Sequence, residues 1–131
     1  LVTAQEDVAG RKQFGQAIGQ FQNTQFELAD MATSLEAARL MVLRGAWAID
    51  TGHAEKTKWC AMAKRLTTDA CFQIADQALQ LHGGYGYLCD FPLERLVRDA
   101  RVHQILEGTN EIMRVIIARR MLEADAPEAI R

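Results

Sequence analysis

"ARLMVLRGAWAIDTGHAEKTKWCAMAKRL", residues 38–66, is the stretch that decides the fold. Apolar residues on both sides keep helical spacing, and only a few positions around Gly52 break it. Upstream, Leu28, Met31, Leu35, Ala38, Val42, Ala46 and Ile49 recur three or four apart. That spacing predicts one apolar face of a helix from Gln20 to about Thr51. Gly52 is the stop, because glycine takes the left-handed conformation that ends helices. Downstream, Trp59, Ala63, Leu66, Ala70, Ile74, Ala78 and Leu81 predict a second long helix from about Ala54 to His82. Two long helices joined by so short a break lie antiparallel.

Working outward, residues 1–10 read as the end of a helix stopped by Gly10, with a turn around Gly15. "GGYGYLCDFP" (83–92) is the main loop. Pro92 fits the first turn of a third helix reaching about Leu106, with Asp90 or a neighbour near its cap. Gly108 interrupts. Thr109 can cap a fourth helix from Asn110 to about Glu123, with Ile112, Val115, Ala118 and Leu122 inward. No repeat or second domain is visible. The expected architecture is all-α: an antiparallel, up-and-down four-helix bundle forming one domain over residues 1–131.

Composition narrows the function classes. At 131 residues the chain can bury one core without staples. A net charge of -2 gives no sign of nucleic acid or an anionic membrane as partner. No apolar run approaches the roughly 18 residues of a spanning helix. The late arginines (Arg95, Arg98, Arg101, Arg114, Arg119, Arg120) read as solvated, ion-paired helix faces, or for some as partners of an anionic phosphate. Cys60, Cys71 and Cys89 have no C-x-x-C spacing, which points to no disulfide framework and to a reducing compartment. Cys60 and Cys71 read as small core residues. His53, His82 and His103 lie apart, so no metal site is expected. The chain starts at Leu1, without Met, and reads as part of something longer.

Three stretches could carry chemistry. In "HQILEGTNEI" (103–112), Glu107 sits at a helix break beside Gly108, where a ligand can approach the backbone. Thr109 opens a helix whose N–H groups favour an acceptor, while Ile105 and Leu106 would give a base a dry wall. The same Glu also reads as an ordinary surface charge. "RKQFG" (11–15) is either a connector whose Phe14 plugs the core or an Arg offered to a phosphate. "HGGYGY" (82–87) follows a helix rather than a strand. It is therefore no dinucleotide fingerprint, and is either a helix stop or a backbone cradle.

Four stretches in order resemble the C-terminal helical domain of the acyl-CoA dehydrogenases: "RKQFGQAIGQFQ" (11–22), "FELADMAT" (26–33), "QLHGGYGY" (80–87) and "RDARVHQILEGTNEIMR" (98–114). Members of that family also carry an N-terminal helical domain and a middle β-domain, both outside this chain. The resemblance implies FAD-dependent oxidation of an acyl-CoA thioester to the 2,3-enoyl-CoA. Glu107 matches the base that removes the α proton, and its backbone N–H helps to polarise the thioester carbonyl. Gly108 matches a substrate-contacting position. Thr109, Asn110 and Glu111 match the run lying against FAD. Arg11, Gln22 and the run Gln80, Leu81, His82, Gly83 and Gly84 match residues that reach the FAD of a partner subunit. A Glu at position 107 sets the chain apart from the long-chain and isovaleryl types, which place the base on an earlier helix. Leu106 stands where many members have Tyr, wording closest to short or branched-chain members.

The resemblance further implies an electron-transferring flavoprotein as redox partner and a homotetramer built as a dimer of dimers. It implies the cytoplasm of a bacterium or the mitochondrial matrix of a eukaryote. Two alternatives stand beside it. An acyl-CoA oxidase would use the same base with oxygen as acceptor, and the 131 residues alone could be a helical assembly module without activity.

Overall fold

The computed structural model describes residues 1–124. Its helices are α1 (Val2–Gly10), α2 (Gln22–Asp50), α3 (Lys56–His82), α4 (Leu93–His103) and α5 (Asn110–Ala124). A two-residue-per-strand hairpin, β1 (Lys12–Gln13) with β2 (Gln16–Ala17), follows α1. Short 3-10 turns cover Ile18–Gln20 and Gly83–Tyr87. The fold is the all-α antiparallel bundle that the periodicities predict. Its hub is α3, which packs against α1, α2, α4 and α5. Among the described residues, no helix is long and apolar enough to cross a membrane.

The break at Gly52 closes as a full helix stop. Gly52 has φ 64. Its N–H donates to Ile49 O at 3.1 Å and the His53 N–H donates to Ala48 O at 2.9 Å. This is the paired bonding of a Schellman motif, which satisfies carbonyls the helix end would otherwise leave open. The reversal lays α3 against α2 along a seam of Thr24, Met31, Ala38, Gly45 and Ala48. The first four recur every seven residues, the repeat that keeps one face turned to a partner helix. A Cβ added at Gly45 would lie 3.6 Å from the Ala63 Cβ, so the absent side chain lets the backbones approach.

The predicted stripe of α2 therefore holds only in part. Met31 and Ala38 are buried and Leu28 and Leu35 half-buried, but Val42, Ala46 and Ile49 are exposed. Past Ala38 the seam runs through Gly45 and Ala48, whose small side chains carry little apolar signal. On α3, Trp59, Ala63, Ala70 and Ala78 are buried as expected, and Leu66, Ile74 and Leu81 are half-buried. Helix α5 departs further. Ile112, Val115, Ala118 and Leu122 are exposed, and the inward residues are Asn110 and Met113, with Ile116 and Ile117 half-buried. Apolar residues lie all round α5, so periodicity could not choose its phase.

Smaller corrections fall at the loops. Helix α4 ends at His103 rather than Leu106 and is capped by Pro92, with no side-chain bond from Asp90. Phe14 does not plug the core. It is 92% exposed at the hairpin tip, its ring edge-on to Phe21. Phe14 and Gly15 have φ 53 and φ 82, the paired positive values that close two-residue hairpins. Cys60 is half-buried, but Cys71 is exposed. Among the late arginines, Arg98 pairs with Glu94, Arg114 with Glu111 and Arg120 with Glu123, as solvated faces do.

Candidate functional site

The predicted site residues fall in two patches on α3. The first is the loop between α4 and α5. At the end of α4, the N–H groups of Ile105 and Leu106 both donate to Val102 O, at 2.9 and 3.0 Å. The chain then reverses through two left-handed residues, Glu107 (φ 54) and Gly108 (φ 93). A non-glycine residue in this region is uncommon, and strained residues gather at functional sites. At φ 93 an L side chain is strained whatever the space around it, so glycine is the residue that fits at 108. Glu107 is exposed, and among the described residues its N–H donates to no backbone carbonyl.

Thr109 is the cap the spacing predicts: its hydroxyl accepts the Ile112 N–H at 3.3 Å. Two expectations for this end of α5 need correcting. The Asn110 N–H is taken by Gln104 O at 3.0 Å, and Glu111 folds back on its own N–H. The first turn is thus satisfied within the chain rather than open to an acceptor. That contact, with the Thr109 hydroxyl and then Arg114, holds the Glu111 carboxyl below its ordinary range. Nor do Ile105 and Leu106 form a closed wall, being 50% and 49% exposed.

Asn110 turns its side chain away from solvent and is 3% exposed. Its Nδ2 donates to Asp69 Oδ1 at 2.7 Å and to Thr68 Oγ1 at 2.9 Å. Lys64 donates to Asn110 Oδ1 at 2.8 Å and to Gly108 O at 2.7 Å. Gln104 Nε2 donates to Asp69 Oδ1 at 2.8 Å. Lys64, Thr68, Asp69 and Gln104 were missed from sequence. For the three on α3 the signal was a polar row, i, i+4 and i+5, beside its apolar face; Gln104, just past α4, carried none.

The second patch is at the far end of α3. Counting 12 residues from Asp69 to Leu81 at helical rise puts it about 18 Å away along the axis. Arg11 pairs with Asp7 at 3.1 Å and donates to the Leu81 carbonyl. Its Nη1 would lie 3.9 Å from a Cβ at Gly83. Gly83 has φ 60, and a Cβ at Gly84 would meet nothing within 4 Å. A guanidinium beside open glycine backbone allows the close approach of an anionic phosphate, although Asp7 already offsets part of its charge. Gln80 is exposed in the last turn of α3, and Gln22 is exposed at the start of α2. His82 is 2% exposed, its Nδ1 2.8 Å from Ala78 O and its ring edge-on to Phe91. Its side chain fills the core, which leaves its backbone for any ligand.

Residues 1–122 match the family model for the C-terminal domain of acyl-CoA dehydrogenase. The mitochondrial isobutyryl-CoA dehydrogenase of Bos taurus is 50% identical over 123 residues, covering 94% of this chain and 30% of that protein. The butyryl-CoA dehydrogenase structure from Megasphaera elsdenii superposes with a TM-score of 0.89 at 37% identity, over 92% of this chain and 31% of that one. A structure of PigA in complex with FAD gives a TM-score of 0.88 at 36% identity, with shares of 92% and 31%. The chain spans about 30% of the length of the curated relatives it matches.

Proposed function

The chain belongs to the acyl-CoA dehydrogenase family, as its C-terminal domain, and on that premise we propose that it supplies the base, and part of the flavin and dimer surfaces, of an FAD-dependent acyl-CoA dehydrogenase. The substrate class is a short or branched-chain acyl-CoA, with isobutyryl-CoA favoured by the bovine relative. The N-terminal helical and middle β-domains of such an enzyme fall in the length of the relatives that this chain does not span.

FAD, when bound, supplies the acceptor for the β hydrogen, which leaves with its electron pair as hydride. Glu107 takes the α proton, and the electrons of that C–H bond form the C2–C3 double bond. The Glu107 N–H polarises the thioester carbonyl, stabilising charge that develops as the proton leaves. Thr109 and Glu111 would line the flavin of the same subunit, and Asn110, buried against α3, would hold that turn in place. Arg11, Gln22 and the Gln80–Gly84 run reach the flavin of a partner. The separation of the two patches along α3 supports this division, since one compact group would not need both. Reoxidation falls to an electron-transferring flavoprotein, and the assembly is a dimer of dimers. The compartment is the cytoplasm of a bacterium or the mitochondrial matrix of a eukaryote.

The observation that carries this reading is the pair of left-handed residues at Glu107 and Gly108, which presents from one position an exposed carboxylate and an N–H that no backbone carbonyl takes among the described residues. In the complete FAD-loaded protein, Glu107→Gln is expected to lower turnover by about 10²–10⁴-fold with FAD still bound. Near-normal turnover would remove Glu107 from the role. Peroxide release in place of electron transfer to the flavoprotein would make the enzyme an oxidase.

A second reading applies to these 131 residues by themselves. The exposure of Glu107 and of Leu40, Leu43 and Trp47 on α2 favours a helical assembly module without turnover of its own. Bleaching of added FAD by a short acyl-CoA would contradict it.

A further inference from the structure

Between the end of α4 and the start of α5 the chain is tied to α3 at both ends, and Glu107 lies between the ties. At one end, Gln104 Nε2 donates to Asp69 Oδ1 at 2.8 Å, and Gln104 O accepts the Asn110 N–H at 3.0 Å. At the other, Asn110 is buried with its amide shared among Thr68, Asp69 and Lys64. Among the described residues, Lys64 makes the one side-chain tie that falls on the reversal itself. Its Nζ, on a half-buried side chain, donates to Gly108 O at 2.7 Å.

We infer that Lys64 is a positioning residue for the Glu107 base, acting through the Gly108 carbonyl and Asn110. This rests on the reading of Glu107 as base. Left-handed backbone at a glutamate is disfavoured unless its surroundings hold it. The peptide after Gly108 closes the left-handed pair, and an ammonium bound to its carbonyl fixes that peptide plane one residue from Glu107. Thr68 steadies the arrangement: its hydroxyl donates to Lys64 O at 3.0 Å and accepts from Asn110 at 2.9 Å. Asp69 anchors the Asn110 and Gln104 amides through one oxygen, with Arg65 at 3.8 Å and Arg114 at 3.9 Å on the other. The Met113 methyl packs against the side of Gly108 that lacks a Cβ.

The test uses the complete FAD-loaded protein and the rate of flavin reduction per bound flavin after anaerobic mixing with isobutyryl-CoA. Lys64→Met is expected to slow reduction at saturating substrate by about 10–100-fold, the size of effect that follows from a base misplaced by about 1 Å. Its KM should stay within about threefold, because Lys64 does not touch substrate in this scheme. Lys64→Arg, which can still donate to both oxygens, should recover most of the rate. Loss of melting temperature or FAD content with an unchanged rate per bound flavin would overturn the inference and leave Lys64 a structural residue. If Lys64→Met does not fold, Thr68→Val carries the same prediction at about threefold; an unchanged rate there overturns it. Glu107→Gln is run in parallel. Full reduction in that variant would fault the base assignment itself. Loss there beside a normal Lys64→Met rate would fault only the positioning role.

Discussion

Replacing Glu107 by glycine should make the protein more stable and inactive at once. Glu107 sits at φ 54, and among the described residues its carboxylate makes no hydrogen bond or ion pair. Left-handed backbone costs a residue with a Cβ about 1–2 kcal/mol. Glycine relieves that strain, while its freer unfolded chain offsets about 0.4–1 kcal/mol of the gain. The balance favours Glu107→Gly by about 0.5–1 kcal/mol, a rise of about one to two degrees in melting temperature for the complete protein. The assay pairs thermal melting of the FAD-loaded protein, followed by flavin fluorescence, with turnover on isobutyryl-CoA. A lower melting temperature would show that the loop is not strained, or that the carboxylate has a stabilising partner. Retained turnover would show that no base works from this position. A stabilised, inactive variant would mean that backbone strain is tolerated here to place the carboxylate.

Other positions give further tests. A Cβ at Gly86 would lie 2.7 Å from the Leu79 carbonyl oxygen, a backbone atom that cannot swing aside. Gly86→Ala should therefore cost about 1–3 kcal/mol, read by the same melt, and a neutral result would contradict the packing of the Gly83–Tyr87 turn on α3. Glu111 is held below its ordinary value of 4.5 by its own N–H and the Thr109 hydroxyl. Because the folded value is the lower one, its contribution is complete above that pH and fades as pH falls through the depressed range. Glu111→Gln should flatten the acid limb of a stability-against-pH curve below about pH 5, and an unchanged slope would count against the capping contact. Arg11→Gln should weaken FAD retention by about thirtyfold, the loss of one charge-assisted bond of about 2 kcal/mol, measured by flavin release on dilution. Unchanged retention would remove Arg11 from the flavin surface.

The helices were legible because their signals are local. Gly52 and Gly108 announce their stops by conformational freedom, and Thr109 announces a cap by the oxygen it carries. Which face each helix turns inward was less legible. Gly45 and Ala48 make the α2 seam by being small, so a search for bulky apolar residues passed over them for Val42 and Ile49. Helix α5 is apolar on several sides, and only its contact with α3 selects Met113 over Ile112. Phe14 shows the same limit from the other side: an aromatic residue reads as core until the hairpin carries it to a tip. At the site, Glu107 and Arg11 stand out as charges beside glycines. Lys64, Thr68 and Asp69 lie some forty positions earlier in the chain, and only the packing of α5 on α3 brings them under the loop.

Exchange of the substrate's α hydrogen with solvent tests the central claim most directly, because it isolates proton removal from the redox step. Isobutyryl-CoA would be incubated in D₂O with the complete FAD-loaded protein, the flavin already reduced to block hydride transfer, and deuterium at the α carbon followed by mass spectrometry. With Glu107 as the base, deuterium is taken up by the intact protein and uptake is slowed by at least about a hundredfold in Glu107→Gln. Equal uptake in the two proteins would place the base elsewhere.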